Sequence, residues 1–135
     1  MYTLNNFHRD ASTTEGAVTV AILDRDRHQQ QSLARGVGLY GYRCVVFTDT
    51  ESVLAALALP DGERIDLLIV DFNGDFAAGR RFVEQLRKVH PRLPIIVIRG
   101  LEWDENVKPL KETGVTIVQR PFTAAALAFE IERLI

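Results

Sequence analysis

Apolar residues in this chain gather into five short runs, each ended by charged or turn-forming residues. They fall at Val18–Leu23, Arg43–Phe47, Leu67–Val70, Ile95–Ile98 and Val115–Val118. Runs of this length without alternation predict strands buried on both faces, as in a parallel sheet. Between them the apolar period lengthens to that of a helix. Leu33, Val37 and Tyr40 follow the polar run His28–Gln31 at helical spacing. An Ala- and Leu-rich helix is predicted over Glu51–Leu59, with Thr48, Asp49 and Thr50 as N-cap candidates. Phe82, Leu86 and Val89 mark an amphipathic helix over Arg80–Val89. Arg87, Lys88 and His90 suit its C-terminal dipole, and Pro91 stops it. Trp103–Thr113 reads as a short or kinked helix, because Pro109 would break an interior turn and Gly114 would stop it. Thr123 caps a last helix carrying Leu127, Ile131 and Leu134.

Two segments stand outside this alternation. Pro60-Asp61-Gly62 predicts a turn, since Pro presets φ and Gly permits positive φ. Met1–Gly16 is polar and aperiodic, so residues 1–16 read as a poorly ordered leader before a single domain over 17–135. The alternative is an arm that docks on a partner through Tyr2, Leu4 and Phe7. Five repeats of strand and helix predict an α/β fold, a doubly wound five-stranded parallel sheet with helices on both faces.

Composition narrows the function classes. The chain has 135 residues, 47% hydrophobic and 25% charged, with a net charge of -2. That balance argues against direct binding of nucleic acid over the domain. The single cysteine, Cys44, excludes an internal disulfide framework and sits in an apolar run, as a buried structural thiol does. No stretch is long and apolar enough for a membrane span, and the N-terminus lacks a signal-peptide core. A cytoplasmic location, with no membrane partner, is the expectation.

Candidate chemistry collects where the predicted strands end. Asp24-Arg25-Asp26, Asp71, Arg99 and Arg120 each follow a strand, which places all of them on the carboxyl edge of the sheet. Open α/β sheets bind ligands at that edge. Gly36, Gly38 and Gly41 spell G-x-G-x-x-G, but a dinucleotide fingerprint follows a strand and opens a helix, whereas these glycines end one. Gly41 fits a helix-ending left-handed position. His90 reads as a cap, with no second His or Cys at metal-site spacing. No phosphate-cradling loop, nucleophile–base pair or His cluster appears. This disfavours a small cofactor-binding or enzymatic domain on this fold.

The order of these features resembles the receiver domain of two-component response regulators, the family of the chemotaxis regulator. An acidic cluster follows the first strand. Asp71 ends the third, with Gly79 eight residues on; Pro94 precedes the fourth; and Arg120-Pro121-Phe122-Thr123 matches the family's closing motif. The resemblance implies a flavodoxin-like sheet of order 2-1-3-4-5 and a signalling module rather than an enzyme. It implies Asp71 as acceptor of a phosphoryl group from a histidine kinase, and Mg²⁺ held by Asp24, Asp71 and the carbonyl of Asn73. It also implies a cis bond before Pro121. A carboxylate approaches a phosphate dianion only when the charge is neutralised, which is the metal's task.

The chain departs from that pattern. Arg25 stands at the second acid, a direct metal ligand in the family. Arg99 replaces a hydroxyl residue, Arg120 replaces Lys, and Ile117 replaces a switch aromatic. Asp26 and Asp75 are expected near the pocket's rim, with Asp26 a substitute ligand. The reading is an atypical receiver with an impaired Mg²⁺ site, in which Arg25, assisted by Arg99 or Arg120, pairs with Asp71 and Asp24. It acts by contacts with a histidine kinase or another signalling protein. Any homodimer is expected through the fourth helix, fifth strand and fifth helix. The alternative is a conventional Mg²⁺-dependent phospho-accepting receiver.

Overall fold

The computed structural model describes residues 2–4, 17–59 and 64–135. The turn expected at Pro60-Asp61-Gly62 and residues 5–16 of the leader lie outside the described residues. Among the described residues six strands form one sheet: β1 (Tyr2–Leu4), β2 (Thr19–Leu23), β3 (Arg43–Phe47), β4 (Leu67–Asp71), β5 (Ile95–Arg99) and β6 (Thr116–Gln119). Their order is β1-β3-β2-β4-β5-β6. The five from β2 onward are parallel to one another. They are the five strands expected from the apolar runs, in the order 2-1-3-4-5.

β1 is an addition at the edge. It pairs antiparallel with β3, Tyr2 opposite Val46 and Leu4 opposite Cys44. The expectation of irregular chain over 1–16 is corrected at these three residues. So short a strand shows no legible period, yet it covers the backbone edge that β3 would otherwise leave open.

Successive residues of each central strand serve opposite faces. Val20 and Ile22 pack with Ala34 and Val37 of α1 (Arg27–Gly38) and with Leu127 and Ile131 of α5 (Ala124–Leu134). Ala21 and Leu23 face the other way. They join the layer of α2 (Thr50–Ala58), α3 (Phe76–Val89) and α4 (Val107–Lys111). Burial on both faces is why the strands read as unbroken apolar runs. Cys44 is buried, and Gly41 has φ 93°. α3 begins four residues before the helix read from the apolar period. Asp75 caps it by accepting a hydrogen bond from Ala78 N at 3.2 Å, and Phe76 is buried beneath it.

The far end of α3 is tied down by Arg87. Its Nε donates to Thr113 O at 2.9 Å, and its Nη1 donates to Leu93 O at 2.6 Å and His90 O at 3.3 Å. One side chain thus satisfies carbonyls of two separate loops, and no carboxylate pairs with it among the described residues. Arg87→Met keeps most of the stem and removes all three bonds. It is expected to destabilise the domain by about 1–2 kcal/mol. Urea unfolding should show a lower midpoint with an unchanged slope.

Candidate functional site

Register builds the site. Leu23 pairs with Val70 across β2 and β4, so Asp24 and Asp71 come next on adjacent strands. Asp24 is fully buried and Asp71 is 5% exposed. Asp24 Oδ1 accepts hydrogen bonds from Asp26 N at 2.9 Å and from Asn73 Nδ2 at 3.2 Å. Asp71 Oδ1 accepts from Asn73 N at 2.8 Å. Asn73 sits at φ 54°, a left-handed conformation that Asn tolerates, and this lets its amide and its backbone reach both carboxylates. The second oxygen of each carboxylate, Asp24 Oδ2 and Asp71 Oδ2, is buried and accepts no hydrogen bond of regular geometry.

Asp71 Oδ2 is not without a counter-charge. The Arg120 guanidinium lies against it as an ion pair, with the arginine side chain 39% exposed and the aspartate side chain 3%. Arg120 Nη2 also donates to Gln29 Oε1 at 2.8 Å. The Arg120-Pro121 bond is cis, as the closing motif implied. The Arg120 backbone N donates to Arg99 O at 2.9 Å, holding the ends of β5 and β6 together.

The other expected site residues are arranged differently. Arg25 is exposed and makes no ion pair among the described residues, which corrects its expected pairing with Asp71 and Asp24. Successive residues of an extended chain point opposite ways, so a buried Asp24 turns Arg25 outward. It instead lines a cleft of about 350 Å³ that also takes in Asp71, Asp75 and Arg81. Arg99 is turned into its own loop, donating from Nε to Gly100 O at 3.0 Å and from Nη2 to Glu102 O at 2.5 Å, so it does not assist at Asp71. Asp26 Oδ1 caps α1, accepting from His28 N at 2.9 Å and Gln29 N at 3.2 Å. Asp75 caps α3 in the same manner.

Two glutamines escaped the sequence reading. Gln30 is fully buried, and its Nε2 donates to Phe47 O at 2.6 Å and Asp24 O at 3.2 Å, joining the ends of β2 and β3. Gln29, the neighbour that holds Arg120, points outward. Both lie in the polar run His28–Gln31. Gln30 is four residues before the buried Ala34, and that helical spacing was the available signal.

Burial pushes the Asp24 carboxyl above the usual aspartate range, partly offset by the Asp26 and Asn73 hydrogen bonds. A raised folded-state value means the native state binds its proton more tightly than the unfolded chain does. Asp24 therefore costs stability as pH rises from about 3.9 through its folded-state value, and the penalty persists above it. Asp24→Asn removes that charge. It is expected to stabilise the domain at neutral pH, with the gain vanishing near the acid end of that window. Thermal unfolding of both proteins across the acid-to-neutral range checks this.

No protein-family model matches the chain. The DNA-binding transcriptional regulator NtrC of Salmonella typhimurium is 26% identical over 117 residues, 86% of this chain and 24% of that protein. The chain thus spans about a quarter of the length of this curated relative. The solved NtrX of Brucella abortus in complex with ADP superposes with a TM-score of 0.74 at 23% identity, over 87% of this chain and 26% of that one. Chemotaxis protein CheY4 of Vibrio cholerae gives 0.72 at 23% identity, over 88% of this chain and 99% of that one. The chain has the fold of these solved chains and resembles part of NtrC in sequence.

Receiver domains generally use Mg²⁺, and the donors present in this chain can be compared with that requirement. Asp24 Oδ2 is buried and uncommitted, as a metal ligand would be. Asp71 Oδ2 faces Arg120, the third carboxylate position is Arg25, and Asp26 and Asp75 each spend an oxygen on a helix cap. Among the described residues no three His, Cys, Asp or Glu side chains are grouped to hold a metal ion. The donor set falls short of the family's. Nor is any helix among the described residues long and apolar enough to cross a membrane.

Proposed function

We propose that this chain is an atypical receiver of a two-component phosphorelay, in which Arg120 supplies the positive charge beside Asp71 that Mg²⁺ supplies in the family. The observation that carries this reading is the ion pair between Arg120 and the buried Asp71. Arginine keeps its charge at any relevant pH, so this neutralisation is permanent, whereas a metal ion comes and goes with its concentration. The guanidinium offers hydrogen bonds but no coordination sphere in which a phosphodonor's oxygens and the Asp71 oxygen can be joined. Phosphoryl transfer to Asp71 is therefore impaired, and the domain signals by protein contacts. Its partner is a histidine kinase or another signalling protein. Any homodimer is constitutive and uses α4, β6 and α5; the half-buried side chains of β6 and the exposed Phe129 of α5 support that face.

One observation favours the conventional Mg²⁺-dependent receiver as a second reading: the unpartnered Asp24 Oδ2. Incubation with a small-molecule phosphodonor and Mg²⁺, followed by intact-mass measurement, separates the two. The proposed function predicts an unmodified mass. A stoichiometric gain of one phosphoryl group, lost in Asp71→Asn, would establish the second reading instead.

A further inference from the structure

We infer that the groove between α1 and α5 binds a small amphipathic monocarboxylate, with the unengaged N–H groups of Arg120 as hydrogen-bond donors to its carboxylate. The groove encloses about 300 Å³, the lower end of the range for small-ligand sites. Its lining includes the buried Val37, Ile98 and Leu127 and the half-buried Leu33 and Phe122. Gly36 lies in that lining, and a Cβ there would stand 3.3 Å from Ala124 Cβ. An interior glycine costs a helix about 1 kcal/mol relative to Ala, and here it lets α1 come close to the start of α5 at one end of the groove.

Hydrogen-bond donors at the rim of an apolar floor select the ligand. Arg120 is the only charged side chain in the lining, beside the polar Gln29 and Ser32. Its contacts with Asp71 Oδ2 and Gln29 Oε1 both engage Nη2. Nε and Nη1 have no acceptor among the described residues and are free to meet a second carboxylate. A dianion such as a phosphate monoester would place excess negative charge beside two buried carboxylates, Asp24 and Asp71. A monoanion with an apolar tail matches one free guanidinium edge above an apolar floor. The site uses N–H groups that Asp71 does not, so it stands or falls independently of the metal reading.

Octanoate is the probe, titrated into the intact chain by calorimetry and followed by amide NMR. Saturable one-site binding is expected, with shifts confined to α1, α5 and the neighbourhood of Arg120. Octanol, with the tail alone, and acetate, with the charge alone, should each bind about tenfold or more weakly. Octyl phosphate should also bind more weakly than octanoate, and Arg120→Met should erase the preference for octanoate over octanol. Failure of octanoate to saturate, octanol binding equally well, octyl phosphate binding more tightly, or shifts located elsewhere would each overturn the inference. The wild-type arms decide the matter even if Arg120→Met does not fold.

Discussion

Arg120→Met is expected to gain saturable Mg²⁺ binding that the wild type lacks, while losing about 1–3 kcal/mol of stability in metal-free buffer. The loss follows from leaving Asp71, 5% exposed, without the guanidinium that faces its Oδ2. A fully buried pair broken on one side costs more, but this arginine is 39% exposed, so water takes up part of the deficit. The gain follows from the same vacancy. Asp71 Oδ2 and Asp24 Oδ2 become two uncommitted carboxylate oxygens on adjacent strand ends, and a divalent cation then stabilises the native state by mass action. Thermal unfolding with and without Mg²⁺ reads both effects together. Arg25→Asp alone supplies a carboxylate but leaves Arg120 in place. The double variant Arg25→Asp/Arg120→Met should therefore bind Mg²⁺ more tightly than either single variant.

Gly79→Val is expected to be the most destabilising single substitution considered, at about 3 kcal/mol. A Cβ at Gly79 would collide with the ring of Phe72, which meets Phe82 edge-on with centroids 6.3 Å apart and an interplanar angle of 75°. Phe72 follows Asp71 directly, so a displaced ring also disturbs the loop that carries Asn73. Helix propensity favours most residues over glycine by less than about 1 kcal/mol, too little to offset a forced repacking of two core aromatics. Chemical denaturation of Gly79→Val measures the loss. Adding Phe72→Leu should recover part of it, a positive coupling that identifies the ring as the obstacle.

The fold was legible in the chain because burial on both faces removes polar residues from a strand altogether. Leu67–Val70 and Ile95–Ile98 show this most clearly. The site's carboxylates were legible for a related reason: a charge at the end of such a run stands at the sheet's edge. Tyr2–Leu4 and the first turn of α3 were not, since three residues carry no period and the cap at Asp75 was hidden in a run of small residues. The choice of partner for Asp71 was not legible either. Arg25 adjoins Asp24 in sequence, but the alternation of an extended backbone sends it outward, while Arg120 arrives from β6, two strands away from β4. Gln30 looked like one of several solvated amides until the helix turned it beneath the ends of β2 and β3.

In the proposed function Arg120 stands where a metal ion would neutralise Asp71. Calorimetric titration of the wild-type chain with Mg²⁺ into the low millimolar range tests it most directly, with the amide signals of Asp26 and Asn73 as local reporters. No saturable heat and no saturable shift at either amide are expected. Saturation in that range, with wild type binding as tightly as Arg120→Met, would contradict it.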